Sequence, residues 1–421
     1  MAPKARYVLV QVLSLALAAS LGLLVAPSAG AAQISNCFGR APTLVGTSGA
    51  DVLTGTAGAD VIRGLGGHDV IRGLGGNDRL CGGSGSDELF GGDGQDRLAG
   101  ETDPVPEGEP EFPAGDVLAG GAGDDVLFGG SVSGDDSSRD VVSFRGATGA
   151  VEVDLVAGMS HGQGEDQIAG VEGIIGTAHN DELRAIGGGE VHAGAGGDRL
   201  VSAPGPEFLL GGPGADSLIL GAGDFGWGDN GPDVLRSRGA GEVTAFGEGG
   251  SDTFLGGRGE DTFYDLDDTN RAEGDVARGG GGRDIIGLGG GDDVPYGGSG
   301  ADAIIADPGK DRVYGGRGAD TYSGGSSSSS GFKVDLRRGI ASGAGTGHDR
   351  LHSIANIDGT AYADVLIGDA GANIIFGGPG NDRMSGGVGD DDLDGHDGQD
   401  EAVGGPGSDR CVAEERRGCE S

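Results

Sequence analysis

Six aspartates stand nine residues apart near the start of the chain: Asp51, Asp60, Asp69, Asp78, Asp87 and Asp96. Each lies in a frame such as Gly82-Gly83-Ser84-Gly85-Ser86-Asp87-Glu88-Leu89-Phe90, a glycine turn, then an acid, then a short apolar run. The frame returns at Asp116 and Asp125, at Asp284, Asp293, Asp302, Asp311 and Asp320, and at Asp364, Asp382, Asp391, Asp400 and Asp409, with Asn373 replacing one acid. Carboxylates repeated at a fixed interval suit one kind of chemistry. Held close together they repel unless a cation neutralises them. A hard divalent cation takes six to eight oxygens, from carboxylates and backbone carbonyls alike, and a glycine turn leaves carbonyls free to serve.

The elements that must position these acids are short. Glycine at frame positions 1, 2 and 4 allows a tight turn, and position 8 is apolar, as at Leu53, Ile62, Ile71, Leu80, Leu89 and Leu98. Three-residue strands bury nothing alone. Stacked about 4.8 Å apart, they bring their apolar residues into one column, which is the solenoid solution. If one nonapeptide makes a turn and a strand, two make a coil. Asp51, Asp69 and Asp87 then stack on one edge, with Asp60, Asp78 and Asp96 on the other.

The frame resembles the G-G-x-G-x-D-x-U-x nonapeptide of RTX (repeats-in-toxin) calcium-binding proteins. The resemblance implies an all-β fold, a right-handed parallel β-roll (β-solenoid) in two or three blocks with short β connectors. It also implies multiple Ca2+ ions between turns on the same edge, held by main-chain carbonyls and by the eighteen aspartates named above. A protein of this kind is a secreted structural or interaction module that folds on calcium, and the chain is expected to have no enzymatic activity.

Composition agrees with cations as partners. Among 421 residues are 67 acidic and 28 basic, a formal charge of −39. Nucleic acid and anionic membranes are poor partners for such a surface, and self-repulsion opposes a compact metal-free state. The 97 glycines lack a triplet period, which excludes collagen.

The first residues read as an export signal: Lys4 and Arg6, an apolar run from Tyr7 to Val25, and Ala29-Gly30-Ala31 as the cleavage site. Export places the mature protein outside the cell, with no stable membrane insertion once the signal is removed. The four cysteines Cys37, Cys81, Cys411 and Cys419 suit disulfides there. Sequence proximity favours Cys37–Cys81 and Cys411–Cys419, one at each end of the array, with buried free thiols as the alternative. A cell-surface or polysaccharide partner is compatible but not readable.

The expected divisions are a signal peptide over 1–31, an N-terminal roll over 32–130 with an acidic loop at 101–113, and a connector over 131–186. A central roll follows over 187–325, irregular to 278, then a second connector over 326–363 and a C-terminal roll with a cysteine-containing cap over 364–421. The connectors resemble each other: Thr177 and Thr360 stand 183 positions apart, as do Asp181 and Asp364. This reads as an internal duplication.

Departures mark the weaker frames. Thr47 and Thr56 replace the second glycine, Phe225 falls where Asp is wanted although Asp224 precedes it, and Pro295 holds a core strand position. Two other motifs are decoys. Asp390 to Glu401 fits the EF-hand loop but lacks helix-forming flanks. Gly158-Met159-Ser160-His161-Gly162 fits a nucleophile elbow but no helix pattern follows. The alternative function, a secreted carbohydrate-active or hydrolytic enzyme, would draw on a connector or on the acids and aromatics of 187–262, among them Phe225, Trp227, Phe246, Phe254 and Phe263.

Overall fold

The computed structural model describes residues 36–101, 114–130, 139–265, 274–324, 330–343 and 347–419. The expected signal peptide lies outside them, as do nearly all of the acidic loop and the first residues of the second connector, 326–329. Every described element is a strand, and no helix among the described residues is long and apolar enough to cross a membrane.

Each frame gives one strand built on its apolar position, and successive strands alternate between two sheets. Val61–Gly66 and Arg79–Ser84 pair in one sheet, Val70–Gly75 and Glu88–Asp93 in the other, all in parallel. Ile62 sits opposite Leu80 and Ile71 opposite Leu89, so two frames make one coil of 18 residues. The fold is a parallel β-roll. The apolar position faces inward, where Ile62, Ile71, Leu80, Leu89 and Leu98 are fully buried, while the flanking Val61, Arg63, Val70 and Arg72 are half-buried or exposed. Each such side chain contributes about 1.5–3 kcal/mol of burial, and stacking makes the contribution continuous.

The acidic excursion after Glu101 does not break the ladder. Arg79–Ser84 passes its register to Arg97–Glu101, and Glu88–Asp93 pairs directly with Ala114–Ala122. Each connector adds an antiparallel meander to one sheet: Glu152–Asp154, Met159–His161 and Glu165–Ala169 in the first, Phe332–Asp335, Ile340–Gly343 and Gly347–His352 in the second. The matching meanders carry the internal duplication into structure. Apolar packing forms one cluster from Leu53 to Leu288 and another from Ile304 to Cys411. Disulfides Cys37–Cys81 and Cys411–Cys419 stand at the two ends, pairing the cysteines as expected.

Candidate metal centre

From Asp69 onward the aspartate of each frame is buried at the edge of its coil and accepts a hydrogen bond from the coil before it, while Asp51 and Asp60 at the first coil are half-buried. Asp51 N donates to Asp69 Oδ1 at 2.8 Å, Asp69 N to Asp87 Oδ1 at 2.8 Å, and Asp87 N to Asp116 Oδ1 at 2.7 Å. The other edge repeats the relay through Asp60, Asp78, Asp96 and Asp125. Asp284, Asp302 and Asp320 form one such row, Asp293 and Asp311 another, Asp364, Asp382 and Asp400 a third, and Asp391 with Asp409 a fourth. The structure thus brings together all the pairs that the 18-residue coil requires.

The second carboxylate oxygen divides the frames into two kinds. In the first kind the frame's own backbone caps it. Thr47 N and Oγ1 donate to Asp51 Oδ2 at 2.5 and 2.9 Å, Thr56 does the same for Asp60 at 2.6 and 2.9 Å, and Thr360 N donates to Asp364 Oδ2 at 2.6 Å. In the second kind the turn residue at position 2 has positive φ, as in Gly83 (126°), Gly92 (113°), Leu65 (87°) and Leu74 (83°). No donor then reaches the oxygen. Oδ2 of Asp69, Asp78, Asp96, Asp125, Asp284, Asp293, Asp382, Asp391, Asp400 and Asp409 is buried without a hydrogen-bond partner.

These open frames meet the test for a hard cation. A Cβ on Gly64 would strike both Asp69 Oδ2 and the Gly82 carbonyl oxygen, and one on Gly73 would strike Asp78 Oδ2 and the Gly91 carbonyl oxygen. Glycine at position 1 therefore leaves a cradle in which two acceptors, from successive coils, face the same space. An ionised carboxylate only accepts, so a buried pair of acceptors calls for a cation or a proton. Their titration says the same. Burial, with neighbouring carboxylates adding to it, pushes Asp96 up to about 6, Asp125 and Asp284 to about 7, and Asp233 and Asp293 to about 8, although a backbone N–H bond partly offsets each shift.

The irregular region belongs to the same rows. Asp181, Asp198, Asp216, Asp233, Asp252, Asp275 and Asp293 form an unbroken relay, and Asp261 feeds Asp284. Asp140, Asp166 and Asp349 on the connectors also join, and Glu172, Glu207 and Glu414 substitute for aspartate. The signal that finds all of them but Glu414 is an acid followed two residues later by an apolar residue, whatever the spacing. Asp224, not the exposed Phe225, takes the ladder position in its frame.

The remaining motifs resolve as strands and turns. The EF-hand-like loop contains the strand Asp392–Asp394. Ser160 is fully buried and donates to Asp166 Oδ2 at 2.6 Å, so its hydroxyl is a structural bond within the meander. Phe254 and Phe263 lie in the core, while Phe208, Phe225, Trp227, Phe246 and Tyr264 stack along the outer face with ring centroids 5.2–6.2 Å apart.

A family model of the RTX calcium-binding nonapeptide repeat (4 copies) matches residues 45–80, 73–103, 114–136, 192–224, 227–263, 272–295, 296–328, 358–393 and 376–411, more than half of the chain. A solved structure, that of a hyperactive, Ca2+-dependent, β-helical antifreeze protein from an Antarctic bacterium, is similar at 12% identity and a TM-score of 0.19, over 84% of this chain and 83% of that one. No curated protein matches the chain.

Proposed function

The chain belongs to the RTX calcium-binding nonapeptide repeat family, and from that premise we propose that it is an exported module that binds several calcium ions along its coil edges and folds on binding them. The observation that carries this reading is the series of buried, unpartnered carboxylate oxygens, of which those of Asp69, Asp78, Asp96 and Asp284 stand beside a main-chain carbonyl of the next coil. Calcium supplies the positive charge that such a pair of acceptors demands, and its irregular coordination tolerates a mix of carboxylates and carbonyls.

The ligands are the open frames, Asp69, Asp78, Asp96 and Asp125 in the first block, Asp284, Asp302 and Asp320 in the second, and Asp382, Asp391, Asp400 and Asp409 in the third, with Asp87 and Asp116 joining them in the same rows. Asp51, Asp60 and Asp364 hold their threonine-capped turns together instead. Binding free energy then becomes folding free energy. Outside the cell, calcium at millimolar levels would keep the roll rigid, in keeping with the about 10⁻⁴–10⁻³ M affinities of extracellular modules. The two disulfides fit an oxidising compartment. The product is an acidic coil with a disulfide at each end, a structural or interaction element.

Equilibrium dialysis of the purified chain against 10 mM calcium tests the reading. Several ions bound per chain are expected, and none or one would overturn it.

A further inference from the structure

The frame of Asp311 departs from both kinds described above. Its second turn position holds Asp307, where open frames carry a residue of positive φ and the capped frame of Asp364 carries Thr360, whose hydroxyl donates to the carboxylate. An ionised carboxylate has no proton to give. Asp307 stands among acids nonetheless: one carboxylate oxygen from each of Asp293, Asp307 and Asp311 lies within 4.8 Å of the other two. Asp349 extends the cluster, accepting from Asp311 N at 3.1 Å and from Tyr322 Oη at 2.7 Å.

Three further observations point to an occupant. Asp293 is 1% exposed, its Oδ2 has no partner, and it lines a cavity of about 10 Å³ together with Asp307 and Asp311. That is about the room one small sphere needs. The apolar core divides at this place, with Ile286 and Leu288 of one cluster and Ile304 and Val313 of the other forming the walls. Pro295 also lines the cavity, and there the ladder is incomplete: Val294–Ser299 pairs with Arg312–Arg317 only from Tyr296 and Tyr314 onward. A missing donor, a gap in the core and a third acid coincide.

We propose that this cavity is a cation site distinct from the edge rows, holding one divalent ion of calcium's size between Asp293, Asp307 and Asp311 and joining the two apolar cores across it. Oxygens sharing one ion at about 2.3–2.6 Å can stand no farther apart than about 4.6–5.2 Å, and the cluster meets that bound. The edge cradles offer one carboxylate oxygen and a carbonyl; this site offers three carboxylates in an enclosed space, and charge count and rigidity both raise calcium affinity. The inference rests on the calcium-binding reading and adds a site to it. The competing occupant is a proton shared among the carboxylates.

The test counts calcium by atomic emission in the full chain, loaded at 10 mM calcium and then equilibrated at about 10 µM, where sites of about 10⁻⁴–10⁻³ M empty. The parent should retain one ion more than Asp307→Asn and Asp307→Gly. The glycine variant restores the ordinary repeat residue and guards against misfolding in the asparagine variant; circular dichroism at 10 mM calcium checks both. Equal retention by parent and variants overturns the site and leaves the shared proton, because asparagine mimics the protonated acid. Calcium anomalous scattering from crystals of the parent gives a reading independent of variants. A peak among Asp293, Asp307 and Asp311 supports the site. Peaks on the edge rows without one here overturn this inference alone, and no peaks anywhere overturn the calcium reading itself.

Discussion

Replacing Asp78 by asparagine should move local stability in opposite directions with and without calcium. Asp78 is buried, its Oδ1 accepts from Asp60 N at 2.7 Å, and its Oδ2 has no partner. A buried polar group left unsatisfied costs about 1–3 kcal/mol. The chain already contains the remedy at Asn373, whose Oδ1 accepts from Asp369 N at 2.8 Å and whose Nδ2 donates to the Ala355 carbonyl at 2.7 Å. Asp78→Asn in chelator should therefore gain about 1–3 kcal/mol. In 10 mM calcium the variant forfeits the ion held between Asp78 Oδ2 and the Gly91 carbonyl. A site with a dissociation constant of about 10⁻⁴ M contributes about 2.7 kcal/mol there. Set against the gain, the variant should be up to about 2 kcal/mol less stable in calcium. Amide hydrogen exchange of peptides covering residues 70–90, in both conditions, reads the local opening free energy. A change of the same sign in chelator and calcium would refute the reasoning, because the carboxylate would then not be exchanging an uncompensated burial for an ion.

Acidification should restore structure to the calcium-free chain. Burial raises Asp125 and Asp284 to about 7 and Asp233 and Asp293 to about 8 in the fold, whereas an unfolded carboxyl titrates near about 3.9. The folded state binds more protons between those values, so stability is full below about pH 4 and is lost as pH rises through about 8; circular dichroism in chelator from pH 8 to pH 5 should show a gain of β-signal. Calcium affinity should move the other way and fall with acid, since each ligand must shed its proton first, as dialysis at pH 7.5 and 5.5 would reveal. Leu65→Gly should leave the loaded protein within about 1 kcal/mol of the parent, because the relief of a positive φ, about 1–3 kcal/mol, is offset by glycine's entropy, about 0.5–1, and by lost burial. Leu65 is only 37% exposed, so Leu65→Ala, which loses the same burial and keeps the strained φ, should have a lower thermal midpoint than the glycine variant, and the reverse order would contradict the assignment of strain. Replacing Cys411 and Cys419 by serine should loosen only the last coil, with faster exchange over residues 401–417 and none over the first coils.

The coil was legible where frames are regular, because nine residues per strand fix both register and burial. Ile62 opposite Leu80 and the relay from Asp51 to Asp69 follow directly from it. The region from 187 to 262 looked irregular because coil length varies: the relay steps are 17 residues from Asp181 to Asp198, 19 from Asp233 to Asp252 and 23 from Asp252 to Asp275. The acid and the apolar residue still stack across those unequal steps, as in Phe254 opposite Ala277. The division into open and capped frames was not legible. Thr47 and Thr56 stood out as departures, but that their hydroxyls and amides satisfy the acids is a matter of backbone direction. Leu65, Leu74, Glu101, Asp229 and Glu248 adopt positive φ without being glycine, so residue type alone does not mark the open frames. Asp307 escaped because it sits where the pattern expects glycine, and its relation to Asp293 needs the coil closed.

The central claim is that calcium supplies the charge which holds the coils together. Far-UV circular dichroism of the purified chain, stripped of metal and then titrated with calcium at pH 7.5, tests it most directly. A largely unstructured spectrum in chelator that converts to β-signal over about 10⁻⁴–10⁻³ M calcium is the expected result. An unchanged β-rich spectrum in chelator, with residual metal shown to be absent, would contradict it.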